Sequence, residues 1–321
     1  MSAPIRRRAG MTLVELLIAL TLLGIVGGAV IGVLVRQQRL SSRTAAVVDT
    51  RDQGRFTLGT LAAELRGLSS IGGDIAAMSD TSLRIRTNVG TSIICAIGAG
   101  RTSFTIPPIL PVTPPNGSGA RIVLTSFVDP NAPPTANDTV WVLNPDKPSS
   151  APWDSARVLS PGVTMVGGAG TGCPTGSPNF LSGGGVDQPA QSFTVPVSPA
   201  LPAGITVGSA VRFTRAVRYS LYQETDDLWY LGYQNCTGAG GCGVVQPVSG
   251  PFLPPTSSIA TTGFRFAYFD SLGVATTVPT NVARIQIIAR ALSRDSVSSG
   301  SSRRTQFVQT DSINVAIRNR I

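Results

Sequence analysis

Residues 16–35 read LLIALTLLGIVGGAVIGVLV, twenty positions without a charge. At about 1.5 Å per residue an α-helix of that length spans roughly 30 Å, the hydrocarbon thickness of one bilayer. No other feature restricts the chain as strongly, because it commits this segment to a membrane. Arg6, Arg7 and Arg8 precede it, as at the opening of a removable secretory signal, but the apolar run is longer than the apolar region of such a signal. Between Gly10 and Pro107 no proline interrupts a helix. Positive charge does not orient the segment, since Arg36, Arg39 and Arg43 on one side balance Arg6, Arg7 and Arg8 on the other.

One acid breaks the apolar pattern. Glu15 lies between Val14 and Leu16, where a lone carboxylate near the membrane centre costs on the order of 3 kcal/mol, so it marks a functional position. Together, Arg6-Arg7-Arg8-Ala9-Gly10-Met11-Thr12-Leu13-Val14-Glu15-Leu16-Leu17-Ile18-Ala19-Leu20 resembles the leader and start of type IV pilins and type II secretion pseudopilins. The resemblance covers about a tenth of the chain. It implies that a prepilin peptidase cuts between Gly10 and Met11 on the cytoplasmic face, that the new amine of Met11 is methylated, and that Glu15 is the acid at the fifth mature position. The family most often begins its mature chain with Phe, so Met11 departs from the pattern, while the Gly that directs cleavage is present. Physically, the cationic Met11 amine and Glu15 of a neighbouring subunit offset each other's desolvation when the helix leaves lipid for a filament.

The same resemblance implies a leader over 1–10, a transmembrane and filament-core helix over 11–35, an amphipathic helix half over 36–70 and a β-rich extracytoplasmic head over 71–321. The implied location is the cytoplasmic (inner) membrane, crossed once with the head periplasmic, and then a pilus or pseudopilus. The implied partners are prepilin peptidase, other pilin or pseudopilin subunits through the N-terminal helix, and the membrane.

Beyond residue 35 the helical pattern continues. Leu58, Leu61, Leu65 and Leu68 step by 3, 4 and 3, an apolar stripe suited to packing on a sheet. The helix is therefore expected from Met11 to near Leu68, about 85 Å if unbroken. Gly24, Gly27, Gly28, Gly32, Gly54 and Gly59 lower its propensity by about 1 kcal/mol each in water but also allow close helix contacts in a membrane; the sequence leaves packing and bending equally open. From residue 71 onward, period-two segments alternate with Pro/Gly/Ser stretches: 82–86, 91–97, 121–127, 139–143, 211–222, 228–233, 264–269, 284–292 and 305–317. The expected fold class is α+β, a long N-terminal helix on a β-rich pilin-like head. Residues 223–227 form an acidic hairpin turn, and 284–292 pairs with 305–317 across a Ser-rich loop at 296–304. Loops at 107–119 and 161–189 are long enough to be mobile or functional. The stretches 211–233, 282–292 and 303–318, with the ending Val315-Ala316-Ile317-Arg318-Asn319, also resemble PilW-like minor pilins and J-type pseudopilins, which points to a minor rather than a major subunit.

The remaining chemistry is narrow. The chain has no His, which removes Ser-His-Asp, Cys-His and His-ligated metal sites together. Its 26 basic residues exceed 17 acidic ones by 9, or by 6 without the leader arginines, and beyond residue 8 no basic run is longer than Arg303-Arg304. Such thin spreading makes a solvated basic surface the better reading and nucleic acid an unlikely partner. Four cysteines in an extracytoplasmic head allow three disulfide pairings, which the sequence does not decide; a local Cys236–Cys242 bond that leaves Cys95 with Cys173 is the favoured one, in preference to a four-Cys zinc site for which the spacing lacks C-x2-C. The glycine-rich 167–172 lacks the Lys-Ser/Thr of a phosphate-binding loop. Glu224, Asp226 and Asp227 form the one dense carboxylate cluster, more readily a solvated turn than a Ca²⁺ site or an acid/base pair. Trp229, Tyr230 and Tyr233 are expected in the core rather than on a binding face. The reading is a non-enzymatic structural subunit needing no cofactor; the alternative is a membrane-anchored extracytoplasmic binding or adhesion module that does not polymerise.

Overall fold

The computed structural model describes residues 13–70, 72–109, 123–149, 152–167, 173, 191–237, 241–258, 260–298 and 304–317. Helix α1 (Leu13–Arg66) is continuous over 54 residues, about 80 Å. It is followed by β1 (Ile75–Met78), β2 (Ser82–Ile93), β3 (Ala96–Ile97), β4 (Ser103–Ile106), β5 (Ser126–Phe127), β6 (Thr139–Leu143), β7 (Trp153–Val158), β8 (Thr164–Gly167), β9 (Gln191–Ser198), β10 (Ala210–Gln223), β11 (Trp229–Cys236), β12 (Gln246–Phe252), β13 (Phe264–Phe269), β14 (Arg284–Ser298) and β15 (Arg304–Ala316). The fold is α+β. Two compact units divide the chain: one takes in the helix as far as Asp52 together with Leu292–Gln309, the other Gln53–Ala291 together with the residues from Thr310.

In the first unit the apolar part of α1 stands open, with Leu13 77% and Ile25 70% exposed. Leucine and isoleucine side chains in that state call for a surrounding apolar medium, which the sequence reading supplies as lipid.

The second unit is built on β10, the longest central strand. Along one edge it pairs with β2, and along the other with β6 and then β11, all antiparallel. The sheet continues on one side as β11-β12-β14-β13 and on the other as β6-β7-β9-β4-β3, with β15 beside β14. Leu58, Leu61, Leu65 and Leu68 are all buried, so the four-leucine stripe does seat on the sheet. It meets Leu83, Ile85, Val217, Leu231, Phe264, Phe266, Ile285 and Ile287 in one core. A second core gathers Phe104, Ile106, Val140, Val142, Val195, Val211 and Phe213 without the helix. The edge of β13 is closed within the chain, because Phe266 N–H donates to the Asp80 carbonyl at 2.8 Å and Thr276 N–H to the Tyr268 carbonyl at 3.0 Å.

Several expected boundaries move. Segments 82–86 and 91–97 are mostly one strand, β2, because Asn88 and Gly90 form a bulge rather than a turn. A Cβ on Gly90 would lie 2.5 Å from the Phe127 ring, so that glycine is needed for close approach of β5. Of 121–127, only Ser126–Phe127 is strand among the described residues. The expected loop at 161–189 contains β8, and β14 runs on to Ser298, into the expected Ser-rich loop. The rest of the two long loops lies largely outside the described residues, as do 168–172 of the glycine-rich stretch.

Candidate functional site

Gly10 and Met11 lie outside the described residues. Glu15 sits in the first turn of α1, exposed, where the helix dipole favours a carboxylate. Downstream of it α1 passes through Gly24, Gly27, Gly28 and Gly32 without a break. A methyl group added at any of these four would meet nothing within 4 Å. Gly24, Gly28 and Gly32, four residues apart, share one face that none of the described residues fills. The helical hydrogen-bonding pattern is unbroken at these glycines.

Gly54 answers the same question differently. A Cβ there would lie 2.7 Å from Asp311 Oδ2, so the missing side chain lets α1 approach β15. Next to it, Thr57 donates to Ser249 Oγ of β12 at 2.6 Å. The buried face of the helix thus begins in small and polar residues before the leucines, a stretch that apolar periodicity does not register.

Both cysteine pairs are joined as expected: Cys95 to Cys173 across 78 residues, and Cys236 to Cys242 across 6. Disulfide sulfurs offer no thiolate to zinc. At the hairpin between β10 and β11, Asp226 accepts from Leu228 N–H at 3.0 Å and from the Tyr230 hydroxyl at 2.7 Å, so its carboxylate organises the turn. Glu224 and Asp227 are exposed beside it. Among the described residues no three His, Cys, Asp or Glu side chains group to hold a metal ion. Tyr230 is buried, as expected, whereas Trp229 and Tyr233 are half-buried.

Sequence reasoning misses Glu64. It projects from the leucine face of α1 towards Tyr219 of β10, and Oε2 is buried with no hydrogen-bond partner among the described residues. Burial pushes its carboxyl group above the ordinary 4.5, and the Tyr219 hydroxyl offsets only part of that. The Tyr219 hydroxyl is itself held far above the ordinary tyrosine range, first by burial and then by the Glu64 charge. Tyr233 stands edge-on to Tyr219, ring centroids 5.5 Å apart. A glutamate between Leu61 and Leu65 reads in sequence as an exposed helix position, because only the sheet reveals what lies opposite.

Residues 5–31 match the family model described as Prokaryotic N-terminal methylation motif, a span that includes Gly10, Met11, Glu15 and most of the apolar run. No curated protein and no solved structure matches the chain. The motif stands at the head of a long apolar helix that an antiparallel β-rich region follows, an arrangement that supports a type IV pilin-like protein.

Proposed function

We propose that the chain is a minor pilin or pseudopilin, processed between Gly10 and Met11, methylated at Met11 and assembled through α1 into a type IV pilus or type II secretion pseudopilus. The observation that carries this reading is the methylation motif at the head of a helix whose apolar length is exposed. Before assembly, lipid covers that surface; after extraction, only helices of other subunits offer an equivalent apolar medium. The open face at Gly24, Gly28 and Gly32 supports such contacts, since small residues let helix backbones approach closely. Glu15 serves as the assembly register, its carboxylate meeting the Met11 amine of the adjacent subunit.

Mass spectrometry of protein extracted from membranes tests the processing step. The expected N-terminus is N-methyl Met11, and Gly10 replaced by a bulky residue is expected to leave a full-length, membrane-retained precursor. An intact Met1, or a cut beyond Gly28, would overturn the reading.

A further inference from the structure

Side chains alternate across β2, β10, β6 and β7, one row entering the two cores and the other facing away from them. Val211, Phe213, Val217 and Tyr219 of β10 point into the cores. The opposite row of β10 therefore carries Arg212 and Arg218. Register extends this outer face to the neighbouring strands: Arg218 is paired with Arg84 of β2, and Arg212 with Trp141 of β6. Arg86 follows two residues after Arg84, while on β7 Arg157 is paired with Thr139 and Trp153 with Leu143. Five arginines and two tryptophans thus share one face, about 27 Å along the strands and about 14 Å across them.

That face carries unbalanced charge. Arg212 has Asp74 at 3.1 Å. Arg84 donates to the Thr237 carbonyl at 3.0 Å, Arg86 to the Gly73 carbonyl and Arg218 to Ser82 Oγ at 2.9 Å; these are neutral acceptors that leave the cations uncompensated. Arg84 Nε is buried with no partner among the described residues. Like charges directly opposite each other, as Arg84 and Arg218 are, destabilise a strand pair. By contrast Arg215, on the core-facing row, is fully engaged by Asp138 through two bonds of 2.8 and 2.7 Å. The aromatic groups are placed among the cations: Arg86 Cζ lies 5.7 Å from the centre of the Trp141 ring, whose N–H is fixed on Thr214 Oγ1 at 3.1 Å, and Trp153 is 39% exposed.

We infer that this outer face binds single-stranded nucleic acid, with phosphates on the arginines and bases against Trp153 and the Arg86–Trp141 pair. Charge complementarity selects a polyanion. The tryptophans, diagonal neighbours across β6 and β7 and so about 7 Å apart, select one whose charged backbone alternates with flat rings. An anionic lipid surface would use the same cations but would not need the rings. Along the chain these arginines are scattered between residues 84 and 218, so only strand register brings them together and reverses the expectation that nucleic acid is an unlikely partner.

The test uses full-length processed protein in a neutral detergent micelle and a fluorescein-labelled oligothymidylate of about 15 nucleotides, followed by anisotropy across a salt series. Contact with about four phosphates gives a slope of log K against log salt near −3. Arg157→Gln with Arg218→Gln is expected to flatten that slope by about 1.4 and weaken binding at low salt at least about tenfold. Trp153→Ala is expected to weaken binding about tenfold with the slope unchanged. Arg157 and Trp153 make no side-chain hydrogen bond among the described residues, so Arg157→Gln alone and Trp153→Ala serve if the double variant fails to match the parent circular dichroism spectrum. Absence of saturable binding would overturn the proposal. So would binding insensitive to these substitutions, or equally tight binding to phosphatidylglycerol vesicles with no effect of Trp153→Ala, which would assign the face to a membrane.

Discussion

A carboxyl group placed under a helix has to be neutral, paired or paid for, and Glu64 is the residue where this choice is visible. Burial raises its proton affinity in the folded state above the ordinary value of 4.5, with the Tyr219 hydroxyl opposing only in part. The folded protein then holds this proton more tightly than the unfolded chain does. The stability Glu64 contributes is complete below about pH 4.5 and is lost as pH rises through the raised folded value. Glu64→Gln removes the charge while keeping a group that can bond Tyr219. Thermal denaturation of the detergent-solubilised chain is therefore expected to show the Gln variant melting higher than the parent at pH 7, with the gap closing as pH falls towards 4.5. A parent that melts higher at pH 7 would mean that the charged carboxylate is satisfied in the folded state. Gly54 makes the complementary point at the same scale. Its neighbours in sequence give no sign that Asp311, 257 positions away, fills the space where a side chain would stand.

Elements were legible where one strand face is apolar and the other polar, and illegible where the strand contains residues that usually end one. The sequence boundaries for β6 and β13 are the observed ones, and the β10–β11 hairpin turns at its acidic residues as expected. By contrast β12 contains Pro247, Gly250 and Pro251 and reads as a loop, yet it pairs with β11 through two register shifts that accommodate them. β7 reads Trp-Asp-Ser-Ala-Arg-Val, with only Ala156 and Val158 buried, too little alternation to recognise without its partners. The disulfides join elements that the sequence could pair but not position, and their two loops differ in length by more than tenfold. On chain-entropy grounds alone the 78-residue closure restricts the unfolded state by about 4.5 kcal/mol and the 6-residue closure by about 2. Replacing Cys95 and Cys173 by Ser is expected to lower the denaturant midpoint more than the same replacement at Cys236 and Cys242, read by urea titration of each variant. Equal midpoints would show that native-state packing around the short loop, rather than chain restriction, sets the effect.

At the scale of the whole molecule, the N-terminal motif was readable because it is local: leader charge, Gly10, Met11, Glu15 and the apolar run are contiguous, and the methylation motif matches across them. The arginine face was not readable, because it exists only once four strands are in register. The two therefore call for different tests, and Glu15 is where membrane and filament make opposite demands on one side chain. If Glu15 only reaches the headgroup layer from the first turn of α1, Glu15→Gln should be silent or should ease residence in the membrane, since an amide costs less there than a carboxylate. If Glu15 meets the Met11 amine of the adjacent subunit, the Gln variant should be cleaved and inserted normally yet enter filaments poorly, because the amine would pass into a low-dielectric helix bundle without its counter-charge. The second outcome is expected: a several-fold loss of co-purification with sheared filaments, beside a membrane blot showing equal amounts of processed protein. Undiminished incorporation would defeat the pairing of Glu15 with Met11 while leaving the processed N-terminus, which mass spectrometry reads separately, as the ground for assigning this chain to filament assembly.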